Sequence, residues 1–351
     1  MLYGEGLFGN SAVADSRGAL AEKFLIPPFS TLNAREGWWQ ARKRAWLSLG
    51  IKSEVGRGEN ALQLSDTSRA TMLGIDYSDA VLFKAQGSLN EIMKQRARAN
   101  GSASDENQYG IASGTSIFDP VLCELVYRWW CPEGGLIVDP FAGGSVRGVV
   151  AAKLGFTYMG VDLRPEQISA NEKQRNDIIS AREPKPQWFT GDSLLLDSVL
   201  PSGSEADFIF SCPPYGDLEE YSGDARDLST MSYESFRDTY RAIIKKSCSV
   251  LKQDAFACFV VGDFRDKSGH YQNFVSDTIQ AFLDAGCKLY NEAILLTAFG
   301  SLPIRTSRQF PSGRKLGKTH QNVLVFVKGS WKTACQNING GQEVAPQLKK
   351  A

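Results

Sequence analysis

The chain has no uninterrupted apolar run of about 18 residues, the length that crosses a bilayer, so no transmembrane helix is expected. Its start, "MLYGEGLFGNSAVADSRG", has no basic segment followed by an apolar core, so no secretory signal is expected either. Charge of one sign is not in excess: 39 Lys and Arg balance 39 Asp and Glu. Any binding of nucleic acid must therefore come from a local basic patch, not from a global field. The seven cysteines are odd in number and contain no CxxC pair. That argues against a disulfide framework and a structural zinc site, and it points to a reducing, cytoplasmic compartment. No repeat of fixed period is visible. What remains is an ordinary globular composition, 42% hydrophobic and 22% charged over 351 residues, enough for one large domain or two smaller ones.

Three parts are expected: an N-terminal extension, 1–107, a regular domain, 108–330, and a polar tail, 331–351. The first boundary falls in the polar linker between Asn100 and Gly110. In the extension, "EGWWQARKRAWLSLGI" sets Trp38, Trp39 and Trp46 among Arg42, Lys43 and Arg44. This predicts an amphipathic helix that either packs its tryptophans on the main domain or presents arginines to DNA. After Gln108, strand-like runs alternate with helical ones. "GGLIVDPFAGG", "TYMGVDL", "QWFTGDS", "ADFIFSCPPY", "AFACFVVGDF", "KLYNEAILLT" and "NVLVFVKG" read as strands. Alternation of this kind predicts an α/β, doubly wound, mostly parallel sheet. The last two runs read as an antiparallel pair at one edge. They are joined by a stretch, 297–321, without helical periodicity.

Ligands of open α/β sheets lie beyond the carboxyl ends of the strands. "DPFAGGSVRG" (139–148) is a glycine-rich strand-to-helix turn, which admits a ligand close to the backbone. The next strand ends in Asp162, suited to ribose hydroxyls, and the next in "GDS" with Asp192, suited to an adenine amino group. The turn lacks the GxGxxG spacing of a dinucleotide fold, and the chain has no GxxxxGK[ST] P-loop. A nucleoside without phosphates, S-adenosylmethionine, fits better.

With "DPFAGG", "GVDL", "GDS" and "SCPPY" in this order, the region 110–330 resembles the DNA amino-methyltransferases that make N6-methyladenine or N4-methylcytosine, most of all the phage and prophage type. The resemblance implies a Rossmann-like, seven-stranded sheet and S-adenosylmethionine as cofactor. It implies double-stranded DNA as partner and no membrane. It implies that Asp139, Phe141, Ala142 and Gly143 contact the methionine part, that Asp162 binds the ribose, and that Asp192 holds the adenine. "TSIFDP" (115–120) matches the segment that closes over the methionine carboxylate, with Phe118 and Asp119 as candidates.

The family's tip is Asp, Asn or Ser, then Pro-Pro, then an aromatic. Its first side chain and a proline carbonyl accept from the target amine, and the ring stacks on a base flipped from the duplex. Pro213, Pro214 and Tyr215 match. Cys212 departs, because a thiol is a weak acceptor. Ser211 or the Pro213 carbonyl is expected to supply the missing bond. The alternative is a cytosine C5-methyltransferase with Cys212 as the nucleophile on C6. Methylation of RNA, of a protein glutamine or of a small molecule, and a catalytically degenerate DNA-binding fold, are further alternatives.

After the tip, the polar segment 216–236 reads as a loop that orders around substrate. His270, after "GDFRDKSG", receives no role. The stretch 297–321, "TAFGSLPIRTSRQFPSGRKLGKTHQ", holds Arg305, Arg308, Arg314, Lys315 and Lys318 and no acid. It is expected to bind phosphates, with Phe310 as a wedge for the vacated base.

Overall fold

A computed structural model describes residues 18–52, 118–216, 221–300 and 302–340. The expectations for the chain start, the linker at 100–110 and the first three residues of "TSIFDP" lie outside the described residues.

Eight strands occur among them: β1 (Thr31–Asn33), β2 (Leu136–Asp139), β3 (Thr157–Asp162), β4 (Gln187–Thr190), β5 (Ala206–Ser211), β6 (Leu251–Val261), β7 (Cys287–Leu296) and β8 (His320–Lys328). They form one sheet in the order β1-β7-β8-β6-β5-β2-β3-β4. Only β8 runs against its neighbours, β6 and β7; the other pairs are parallel. All seven strands read from the sequence are present, with the antiparallel β7–β8 pairing as expected. An eighth, β1, comes from the N-terminal extension and joins the sheet at the edge of β7. β1 has three residues, too few for alternation to be read, and it forms only because β7 offers an open edge.

The helices are α1 (Ala19–Phe24), α2 (Gly37–Leu47), α3 (Pro120–Trp130), α4 (Val146–Lys153), α5 (Pro165–Ile178), α6 (Leu196–Val199), α7 (Tyr233–Val250), α8 (Phe274–Asp284), α9 (Leu302–Gly313) and α10 (Trp331–Ile338). α3 and α5 each begin with a proline, whose fixed φ suits the first helical position. α10 opens the segment read as a polar tail, capped by Ser330.

Helices cover both faces of the sheet, so its central strands are buried on both sides. Phe208 and Phe210 of β5 join one apolar cluster, and Ile209 between them joins the other. The first cluster includes Trp39 and Trp46 of α2, both fully buried. Packing is thus what these tryptophans do. Arg42, read as a candidate for phosphate, instead pairs with buried Glu124, and Lys43 pairs with Asp119.

Two compact units divide the chain. One comprises Met1–Glu59, Ile117–Thr297 and His320–Ala351; the other comprises Asn60–Ser116 and Ala298–Thr319. The second unit contains α9, which corrects the expectation of a loop at 297–321. α9 buries no residue, and it carries Pro311 inside it. Its residues are in fact arranged amphipathically, but Pro311 and the neighbouring glycines read as breakers.

No described helix is long and apolar enough to cross a membrane. Among the described residues, no group of three or more His, Cys, Asp or Glu could hold a metal ion.

Candidate active site

Strand order reverses between β2 and β5, the switch point at which doubly wound sheets bind ligands. The two strands are adjacent and parallel, so the glycine turn after β2 and the tip after β5 leave the sheet side by side.

Asp139 ends β2 with no solvent exposure. Its Oδ2 accepts from Arg147 Nε at 2.5 Å and from Tyr158 Oη at 2.7 Å. Its Oδ1 accepts from Ser211 Oγ at 2.6 Å and from the Phe141 amide at 3.1 Å. Four donors saturate this carboxylate. The expected contact of Asp139 with a ligand is therefore corrected to a positioning role: it ties the turn, α4, β3 and the tip together. Arg147 completes the knot by donating Nη2 to the carbonyls of Phe141, at 2.5 Å, and Ala142, at 2.9 Å.

Beyond it, the Ala142 amide donates to the Val161 carbonyl and the Gly143 amide donates to Asp162 Oδ2 at 3.0 Å. Gly143 has φ +49°, which glycine adopts without steric cost. The Gly143 carbonyl accepts from Asn171 Nδ2 at 2.7 Å. Asp162 Oδ1 takes the Arg164 amide at 2.9 Å. Burial raises the Asp162 pKa above the ordinary Asp value, while Arg164 and the two amide bonds hold it back. Asp192 caps the short 3₁₀ turn after β4, accepting from the Leu194 amide. Ser193 next to it donates to the Pro140 carbonyl at 2.5 Å, which fastens the β4 end to the glycine turn.

Phe118 lies under the Arg147 guanidinium, 4.7 Å from its ring centre, and meets Phe210 edge-on. Asp119 caps α3 through the Val121 and Leu122 amides and accepts from Trp39 Nε1 at 3.2 Å. It also pairs with Lys43 at 3.3 Å.

At the tip, Ser211 is fully buried and its hydroxyl is committed to Asp139. In this structure Ser211 lies behind the tip, closed to solvent, with its proton directed at Asp139. Cys212 is part-exposed, with Sγ 3.7 Å from Tyr215 Oη. The Tyr215 hydroxyl accepts from Gln321 Nε2 at 2.6 Å, and the ring packs edge-on against Phe274. Burial pushes the Tyr215 pKa well above the usual tyrosine value. At Gly216 the chain turns with φ +54°, and a Cβ there would come within 2.7 Å of Phe264.

In the second unit, Arg305, Arg308 and Arg314 are exposed, while Lys315 and Lys318 are half-buried. The Arg314 guanidinium stands 5.3 Å from the Phe310 ring centre. The segment leaves β7 after Leu296 and returns at His320, which are paired in register.

A Cβ on Gly143 or Gly144 would meet no atom within 4 Å, so the outer face of the turn is open. The buried Ser145 hydroxyl has no hydrogen-bond partner among the described residues. An open glycine cradle, an orphaned hydroxyl and acids at the next two strand ends suit an adenosyl group carrying an amino acid, as in S-adenosylmethionine.

The sequence alone did not point to Arg147, Tyr158 or Asn171. Arg147 lies inside "DPFAGGSVRG", but no local period links it to Asp139, because residues 140–145 between strand and helix form a turn.

If Asp162 holds the ribose, as the sequence leads one to expect, Asp162→Ala removes two charge-assisted bonds, each worth about 1.5–3 kcal/mol. Calorimetry with S-adenosylmethionine checks this, and unchanged affinity would count against the assignment. Because the Asp162 pKa is raised, affinity should begin to fall on acidification at a higher pH than for an ordinary carboxylate.

No protein-family model matches the chain, and no curated protein matches it. Solved structures do. TrmN from Thermus thermophilus is 16% identical over 60% of this chain and 49% of its own, with a TM-score of 0.41. This chain thus spans about half of that protein's length. The magnesium protoporphyrin IX methyltransferase ChlM from Synechocystis PCC 6803, with bound SAM, is 14% identical over 70% of this chain and 99% of its own, with a TM-score of 0.40. A TehB-like SAM-dependent methyltransferase from Corynebacterium glutamicum is 18% identical over 66% and 99%, with a TM-score of 0.38.

Proposed function

We propose that the protein is an S-adenosylmethionine-dependent methyltransferase that modifies an exocyclic amine, adenine N6 or cytosine N4, of a base extruded from double-stranded DNA. The observation that carries this reading is the 2.6 Å bond from Ser211 Oγ to Asp139 Oδ1. It locks the proline tip to the glycine turn, so the residues suited to cofactor and to target share one rigid base. Bound cofactor would supply an electrophilic methyl group. Gly143 and Gly144 would lie against its methionine part, Asp162 would accept from the ribose, and Asp192 would accept from the adenine amine.

The prolines fix the tip before a base arrives, which lowers the entropic cost of alignment. With Ser211 committed elsewhere, the Pro213 carbonyl is the acceptor we assign to the target amine. Tyr215 bounds the site as the stacking ring, steadied by Gln321. Arg305, Arg308, Arg314, Lys315 and Lys318 would engage phosphates, which every DNA sequence offers.

One observation favours a second reading. With Ser211 buried, the Cys212 thiol is the polar group that follows β5 into the open, as a C6 nucleophile of a cytosine C5-methyltransferase would be. The test is mass spectrometry of nucleosides from DNA and RNA incubated with the protein and S-adenosylmethionine. N6-methyladenine or N4-methylcytosine in DNA is expected. Cys212→Ser should stay active within roughly tenfold, and the wild type should form no covalent complex with DNA carrying 5-fluorocytosine. A serine variant slowed by orders of magnitude, with a trapped wild-type complex, would replace the first reading by the second. Methylation confined to RNA would overturn the choice of substrate.

A further inference from the structure

The segment after β6 is not used by the site described above. β6 runs parallel to β5, so residues 262–273 emerge at the same end of the sheet as the proline tip. They form a tight hairpin in which Arg265 pairs with Tyr271 in antiparallel fashion. The Asp266 amide donates to the His270 carbonyl at 2.8 Å, and the Gln272 amide donates to the Phe264 carbonyl at 3.0 Å. Asp266 is spent on the turn itself, accepting from the His270 amide and the Ser268 hydroxyl.

The hairpin is rooted in the aromatic cluster under the tip. Buried Phe264 is the atom-close neighbour of Gly216, and its ring meets Phe274, which in turn meets Tyr215. Phe264 therefore does the anchoring. Tyr271 does not: it is 41% exposed. Yet its ring is held, with the Arg265 guanidinium over one face, 4.0 Å from the centre. Arg265 is itself pinned, donating Nη1 to the Gly269 carbonyl at 2.7 Å. Lys267 and His270 stand exposed near the turn. An exposed aromatic ring, oriented in advance and backed by a cation, beside a site for an extruded base, has the features of a stacking platform for a further base.

We infer that the 264–272 hairpin is a second nucleobase site, in which Tyr271, backed by Arg265, stacks on an unpaired base flanking the target; this rests on the nucleic-acid reading above. Preorganisation is the source of its affinity, since little rotamer freedom remains to be lost on binding. Stacking of this kind tolerates any base, so the hairpin adds affinity without adding a sequence requirement.

The test is fluorescence anisotropy with a fluorescein-labelled single-stranded oligodeoxynucleotide of mixed sequence, and with its duplex. Tyr271→Ala should weaken binding of the single strand about 5- to 150-fold, the range for one stacked base. Tyr271→Phe should bind within about twofold of wild type, because the ring is kept. Both variants should bind S-adenosylmethionine as the wild type does, a readout of the intact fold. If the wild type binds DNA and Tyr271→Ala binds it equally well, the inference is wrong while the function proposed above stands. If Tyr271→Phe is as impaired as the alanine variant, stacking is not the ring's contribution and the inference is likewise wrong. If the wild type binds neither probe, both fall together.

Discussion

Arg147→Met is expected to cost about 3–5 kcal/mol of stability, the usual penalty for stripping one partner from a buried ion pair, and to abolish the methyl transfer proposed above. Arg147 is 5% exposed and Asp139 is fully buried, so neither can find water as a substitute. Burial alone would lower the pKa of the guanidinium. Asp139 first, then Tyr158 and Cys212, outweigh burial and leave it raised. Methionine fills much of the same volume, so the loss would report the charge and its bonds to two turn carbonyls more than a cavity. Asp139→Asn combined with Arg147→Met should be less destabilised than the sum of the single changes, since the stranded charge is gone. Urea unfolding checks both statements. A single variant that loses less than about 1 kcal/mol would show that the knot at the turn is not held by charge.

The second large effect lies on the N-terminal side. Glu124 is fully buried on α3 and accepts from Arg42 through both oxygens, at 2.7 and 2.6 Å. Trp46 Nε1 adds a bond at 2.9 Å and Arg128 one at 3.1 Å. Glu124→Ala should cost about 3–5 kcal/mol at neutral pH, because Arg42 keeps its charge inside the protein. Burial pushes the Glu124 pKa up, but Arg42, Arg128 and Trp46 together bring it below 4.5. A carboxyl group lowered on folding stabilises the native state above its unfolded pKa and loses that contribution as pH falls through the folded one. Wild type and variant should therefore converge in stability as the pH drops below 4.5. A gap that stays constant on acidification would mean that packing, not charge, sets it.

Strand ends were the legible part of this protein. "DPFAGG", "GVDL", "GDS" and "SCPPY" each announce a strand that stops at a glycine, an acid or a proline; β2, β3 and β5 stop as read, and β4 stops at Thr190, just before "GDS". The partners of those residues were not legible. Ser211 and Asp139 are 72 positions apart, and nothing local in either segment says that one hydroxyl will be spent on the other. The same holds for Asp119, which reads as a ligand contact in isolation but caps a helix and accepts from Trp39, 80 positions away. β1 and α9 escaped for different reasons. One is three residues long and pairs with a distant edge; the other is amphipathic, but Pro311 inside it reads as a break.

The edge strand β1 bears on how the chain is made. It lies beside β7, and Arg35 just after it donates to the Thr297 carbonyl, 262 residues downstream. A ribosome releases β1 long before its partner exists, so this first strand must wait, unpaired, through most of synthesis. Closing so long a loop adds only a logarithmic entropic cost, but it comes late and slows the final assembly. Until then the outer edge of β7 has no cover, and a second nascent chain can supply the missing strand. Pulse-labelled hydrogen exchange during refolding should find the amides along β7 protected last, after the β2–β5 centre has already closed.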